Sequence, residues 1–193
     1  MSAPESRPRL PPPALRRFFG AMVRPCFASL GIGQGELAEY VTDLLARFSR
    51  TAQLYRVRDS RGRPLHTLTG LLLELMEEWG SDRSWSFDRE VDLRRHCGDY
   101  ALFLSGIFRP HVEAGGHLSY YLREGGESYR LVGEHLQLVG GRQARLFRGM
   151  AERFEELSGT LDYLRKVHMV PALHGHPYGP ALRGFEVDGA GGP

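Results

Sequence analysis

The sequence predicts an all-α fold: a single compact domain of about six helices, bundle-like or orthogonal, with disordered termini. Three observations lead there. Apolar side chains recur at spacings of three and four along most of the chain. No stretch shows the alternation between turn residues that marks a half-buried strand. Both ends are of low core content: residues 1–12 are rich in proline and arginine, and residues 171–193 carry four prolines and six glycines. The helical domain is therefore placed at 13–170, and a length of 193 residues suits one such unit.

The first helix opens near Pro13, because proline suits a first helical turn, and presents Leu15, Phe18, Phe19, Met22 and Val23 until Pro25 ends or kinks it. A Gly31–Gly35 linker follows. The second helix, near 36–49, carries Leu37, Tyr40, Val41, Leu44, Leu45 and Phe48 on one face. Residues 56–64 form a basic loop with arginines at 56, 58, 61 and 63. A third helix, near 65–79, shows Leu68, Leu71, Leu72, Leu75, Met76 and Trp79. Its acidic C-terminal half opposes the helix dipole, so packing must hold it.

The fourth helix is the most apolar and is expected at the centre. Ser86 is its expected N-cap. Leu93, Cys97, Tyr100, Leu104 and Ile107 form its seam, and Pro110 stops it. The next stretch contains Gly125-Gly126, yet Leu118, Leu122, Gly125, Tyr129, Val132, Leu136 and Val139 keep one register across the pair. One helix over 117–139 is expected, with Gly125 on the packed face, where another backbone approaches closely enough to offset the ~1 kcal/mol that glycine costs against alanine. The last helix, 142–168, repeats Phe147, Met150, Phe154, Leu157, Leu161, Leu164 and His168 as a heptad seam. Such a seam suits a long helix in an antiparallel bundle or a dimeric coiled coil.

Composition removes several function classes. The formal net charge is +2, with 25 basic and 23 acidic residues, so no global field attracts nucleic acid or an anionic membrane. No apolar run reaches the ~18–20 residues that span a bilayer. Only Lys166 is lysine among the basic residues, a bias expected of a GC-rich, arginine-favouring genome. Two cysteines, Cys26 and Cys97, make no disulfide framework, and the N-terminus lacks a secretory apolar segment. A cytoplasmic protein is the expectation.

Chemical motifs are sparse. Glu-x-x-His pairs and His-Glu-x-x-His are missing, and His174 and His176 sit in the tail, so no metal and no other cofactor is expected. No nucleophile elbow is present, and Gly31-x-Gly33-x-Gly35 lacks the strand and Lys-Ser/Thr of a phosphate loop. No catalytic residue is assigned. The densest polar group within an apolar helix is His96, Cys97 and Asp99. An aspartate buried there needs a partner: an arginine, a tyrosine hydroxyl or a ligand. Tyr120, Tyr121 and Tyr129 flank the glycine pair, where two rings either line a slot for a small apolar or aromatic ligand or fill a close helix crossing. His96, Asp99, Tyr120, Tyr121 and Tyr129 are thus the ligand-binding candidates.

The run Cys97-Gly98-Asp99-Tyr100-Ala101-Leu102-Phe103-Leu104-Ser105-Gly106-Ile107-Phe108, with Tyr120-Tyr121-Leu122-Arg123-Glu124-Gly125-Gly126-Glu127-Ser128-Tyr129, resembles a family of uncharacterised bacterial all-helical proteins. That family pairs a Gly-Asp-x-Ala-Leu-Phe helix with a Tyr-Tyr-x-x-x-Gly helix. The resemblance implies no activity. It implies that the two helices belong together, with Gly98, Asp99, Gly106, Tyr120, Tyr121, Gly125 and Tyr129 as its defining positions. The functional expectation is a non-enzymatic interaction or regulatory protein, with a protein partner or a second copy of the chain. The alternative is a small-molecule-binding or enzymatic domain with a pocket between the Gly98-Asp99 helix and the Tyr120-Tyr121 helix.

Overall fold

Helical periodicity sets the architecture. The structure, a computed structural model, describes residues 12–32, 35–59, 61–80 and 87–169. Within them the chain runs α1 (Pro12–Ser29), α2 (Glu36–Phe48), α3 (Thr51–Leu54), α4 (Leu68–Gly80), α5 (Phe87–Ile107), α6 (Arg109–Ala114), α7 (Leu118–Leu138), α8 (Ala144–Glu152) and α9 (Phe154–Leu164), closing on a π-helical turn, Arg165–Met169. No strand occurs among the described residues. An isolated bridge between Arg58 and Pro64 closes the basic loop, where Asp59 accepts hydrogen bonds from the backbone of Arg61 and Arg63. Most of both expected tails, Ser86, His174 and His176 lie outside the described residues.

The chain is all-α, and α5 is its centre. This helix packs most extensively on α7 and also meets α9, α4, α6 and α2. Cys97, Ala101 and Leu102 on α5 are fully buried, and Phe103 and Tyr100 nearly so. They join one core with Val23 and Phe27 of α1, Val41 and Leu44 of α2, Leu68 and Leu71 of α4, and Phe147 and Leu157 of α8 and α9.

Close approach around α5 depends on glycine. A Cβ on Gly125 would stand 2.2 Å from Phe154 Cζ and 2.7 Å from Ala101 Cβ. One on Gly98 would stand 2.6 Å from the Tyr129 ring, and one on Gly106 2.5 Å from Leu161 Cβ. Side chains do not pack that tightly, so α7 and α9 lie where they do because these positions carry no side chain. The continuous α7 with Gly125 buried matches the register read from the sequence.

Three details differ from expectation. Of the two outcomes expected at Pro25, an end or a kink, the end does not occur: α1 runs on to Ser29. Pro25 is exposed while Val23, Cys26 and Phe27 are buried, and that packing outweighs the hydrogen bond the proline removes. The last helix is not continuous, because Arg153 (φ −111°, ψ 19°) separates α8 from α9. The bend falls beside Phe154, whose ring occupies the notch at Gly125. Phe147, Met150, Phe154, Leu157, Leu161 and Leu164 all face the core, so the heptad seam is used within the chain and gives no coiled-coil face to a second copy. Finally, Met76 is 68% exposed; among the described side chains of α4 the buried apolar ones are Leu68, Leu71 and Leu75. Beyond α9, Asp162 accepts from Arg165 at 2.9 Å and from Lys166 at 2.6 Å, which ties down the π turn.

Gly125→Ala is expected to lower unfolding free energy by roughly 1–3 kcal/mol through overpacking, even though alanine is the better helix former. Gly149→Ala, where nothing stands within 4 Å of the added methyl, should be neutral or stabilise by up to ~1 kcal/mol. Urea denaturation of the two variants checks the contrast.

Candidate functional site

The site is built on Asp99, which α5 carries into the core with 1% of its surface exposed. Oδ1 accepts hydrogen bonds from the Tyr40 hydroxyl at 2.6 Å and the Tyr129 hydroxyl at 2.7 Å. Oδ2 accepts from Arg47 Nη2 at 2.9 Å. Arg95 Nε donates to the Tyr40 hydroxyl at 3.0 Å and lies over the faces of Tyr40 and Phe147.

Helix spacing explains the assembly. Tyr40 and Arg47 are seven apart on α2 and so share a face; Arg95 and Asp99 are four apart on α5. Gly98 leaves room for the Tyr129 ring to lie against α5, which brings its hydroxyl to the neighbouring carboxylate. Burial, and then the Asp99 charge, push both phenols well above their ordinary range. Burial works against the Arg47 charge, and Asp99 more than restores it.

A cleft of about 560 Å³ opens above this cluster. One wall is a full face of α2: Glu36, Glu39, Tyr40, Asp43, Ala46, Arg47 and then Arg50. Arg16, Arg95 and, from the α8 side, Gln143 and Leu146 face it. Charge is segregated along the cleft. At the acidic end Arg16 pairs with Asp43 and with Glu39, and Arg24 also pairs with Glu39. At the basic end Arg47 pairs with Asp99, and Arg95 is linked to it only through the Tyr40 hydroxyl.

The other sequence candidates fall elsewhere. His96 does not bond to Asp99. Its Nδ1 accepts from Arg56 Nε at 3.2 Å, its ring packs edge-on against Phe48, and Arg56 also pairs with Asp92. Burial, and then the Arg56 charge, pull the imidazole down to about 4. Tyr120 meets Thr69 of α4 through its hydroxyl at 3.2 Å and packs edge-on against Tyr121; neither hydrogen-bonds Asp99 among the described residues. Cys97 is fully buried, and burial pushes its thiol up to about 12. No group of His, Cys, Asp and Glu able to hold a metal occurs among the described residues. The structure thus joins Asp99 and Tyr129 and separates them from His96, Tyr120 and Tyr121. It adds Tyr40, Arg47 and Arg95, which the sequence did not single out. Their only advance signal was position, on the buried face of α2 and one turn before Asp99.

No protein-family model, curated protein or solved structure matches the chain.

Asp99→Ala should cost roughly 2–4 kcal/mol, because it leaves two buried phenols without their acceptor while Arg47, 37% exposed, turns to solvent, whereas Tyr129→Phe should cost about 1 kcal/mol; guanidinium titrations at pH 7 compare them. The neutral imidazole of His96 gives a pH dependence of definite sign. Its folded pKa lies below the ordinary 6.5, so the unfolded chain binds the extra proton as pH falls. Stability from this group is complete above pH 6.5 and is lost toward pH 4, by up to ~1.4 kcal/mol per unit. His96→Gln should flatten the stability profile over that window.

Proposed function

We propose that the chain is a non-enzymatic binding protein whose recognition surface is the cleft along α2. The observation that supports this is the Asp99 cluster beneath the cleft wall. A carboxylate that accepts from two phenols and a guanidinium is spent on holding side chains in place. What it fixes at the wall is Arg47 and, through Tyr40, Arg95. These groups donate hydrogen bonds and carry charge. Neither arginine gives up a proton near neutral pH, and burial and Asp99 keep the Tyr40 proton in place. Glu39 and Asp43 are tied to Arg16. Such a wall favours recognition over acid–base turnover.

The α5–α7 seam is a weaker candidate for a pocket, since Tyr129 and Phe154 fill it at Gly98 and Gly125. Two free, buried cysteines suit a reducing compartment, which supports a cytoplasmic setting. No helix among the described residues is long and apolar enough to cross a membrane.

Native mass spectrometry of the untagged chain, isolated from its own cells, tests the proposal. A reproducible excess mass is expected, lost on denaturation and lost in Gln143→Trp, which narrows the cleft. A bare mass, together with an unchanged melting temperature across a panel of cellular acids, amines and nucleotides, overturns it.

A further inference from the structure

We infer that the basic end of the cleft, formed by Arg47, Arg50 and Arg95, binds the terminal oxyanion, carboxylate or phosphate, of a small molecule. This deepens the binding reading above and rests on it. The argument begins with Arg95. Its guanidinium is partly buried, yet among the described residues its one hydrogen bond is to a phenol, and aromatic faces stand 5.1 and 5.5 Å from it. No carboxylate pairs with it directly among the described residues. A cation drawn that far out of water is ordinarily matched by a counter-charge.

Asp99 does not suffice for both arginines. Its Oδ2 is taken by Arg47 and its Oδ1 by the two phenols. Two guanidiniums therefore share one negative charge: Asp99 supports the Arg95 cation from beyond hydrogen-bond contact, and the Arg47 charge opposes it. Arg50, nearly one turn beyond Arg47, adds a third positive charge with no side-chain partner among the described residues. The dipole at the C-terminal end of α2 accounts for a cation at Arg47, but not for Arg95 in the middle of α5. At the far end of the cleft Arg16 and Arg24 pair with Glu39 and Asp43, and Glu36 adds a further negative charge, so the positive surplus lies at the Arg47 end.

Geometry agrees with the charge count. Arg47 spends one N–H on Asp99 and Arg95 one on Tyr40, out of five donors on each guanidinium. The remaining forks match the paired oxygens of a carboxylate or phosphate. Both arginines are held before any ligand arrives, which lowers the ordering cost of binding. A volume of about 560 Å³ lies within the range of small-molecule sites, ~300–1,000 Å³.

The test is an NMR titration of the ¹⁵N-labelled full chain with succinate or with inorganic phosphate, ionic strength held constant with sodium chloride. Saturable shifts of the Nε–Hε resonances of Arg47, Arg50 and Arg95 are expected with at least one of the two probes. Saturation by succinate alone assigns a carboxylate ligand, and by phosphate alone a phosphoryl ligand. Arg50→Gln should weaken binding about tenfold with no change in melting temperature, while Arg61→Gln, on the exposed basic loop, should leave it unchanged. Shifts that stay linear for both probes, or that fall equally in Arg61→Gln, overturn the inference. If the native chain then still carries an excess mass sensitive to Gln143→Trp, the cleft binds something other than an oxyanion; if it carries none, the binding reading falls as well.

Discussion

A single buried carboxylate constrains this fold. Removing Asp99 from water costs several kcal/mol unless strong donors replace the lost hydration. The chain supplies them from α2 and α7, so both helices must dock on α5 in one register for the carboxylate to be satisfied. Apolar packing alone tolerates sliding between helices; three directed hydrogen bonds to two oxygens do not. Gly98 belongs to the same arrangement, because the ring that brings the Tyr129 hydroxyl into place rests on it.

Much of this was legible in the sequence. The helices follow from spacings of three and four, and the central position of α5 follows from its apolar width. The need of Asp99 for an arginine or tyrosine partner follows from desolvation alone. Which arginine and which tyrosines did not. Tyr40 reads as one more apolar member of the α2 face, and nothing local separates Arg47 and Arg95 from the other arginines. Their roles arise from a contact between α2 and α5 more than fifty residues apart in the chain. The break in the last helix is hidden for a related reason. Heptad continuity predicts one helix over 142–168, whereas packing around Phe154 bends the chain at Arg153; at Pro25, packing carries α1 on to Ser29. Tyr120 and Tyr121 were grouped with Tyr129 by proximity in sequence; in three dimensions Tyr120 instead turns toward Thr69 of α4.

The cleft turns an internal requirement into an external surface. Arg47 is both the counter-charge of Asp99 and part of the cleft wall, and Tyr40 links the carboxylate to Arg95. On the proposed reading, stability and recognition are coupled through the same side chains. A change that loosens the buried cluster also blurs the placement of the outward-facing donors. Arg50 stands apart, since it contributes charge to the cleft with no interior role; if the cleft binds as proposed, it is the residue through which binding and folding separate.

The π turn has a practical consequence for chemical labelling. Lys166, paired with Asp162 and largely exposed, carries the only ε-amine among the chain's 193 residues. Guanidiniums resist the acylating reagents that modify amines. Amine-directed tethers, fluorophores or cross-linkers therefore have, besides the chain's α-amine, one side-chain address, on the π turn after α9, and leave the arginines of the cleft unmodified.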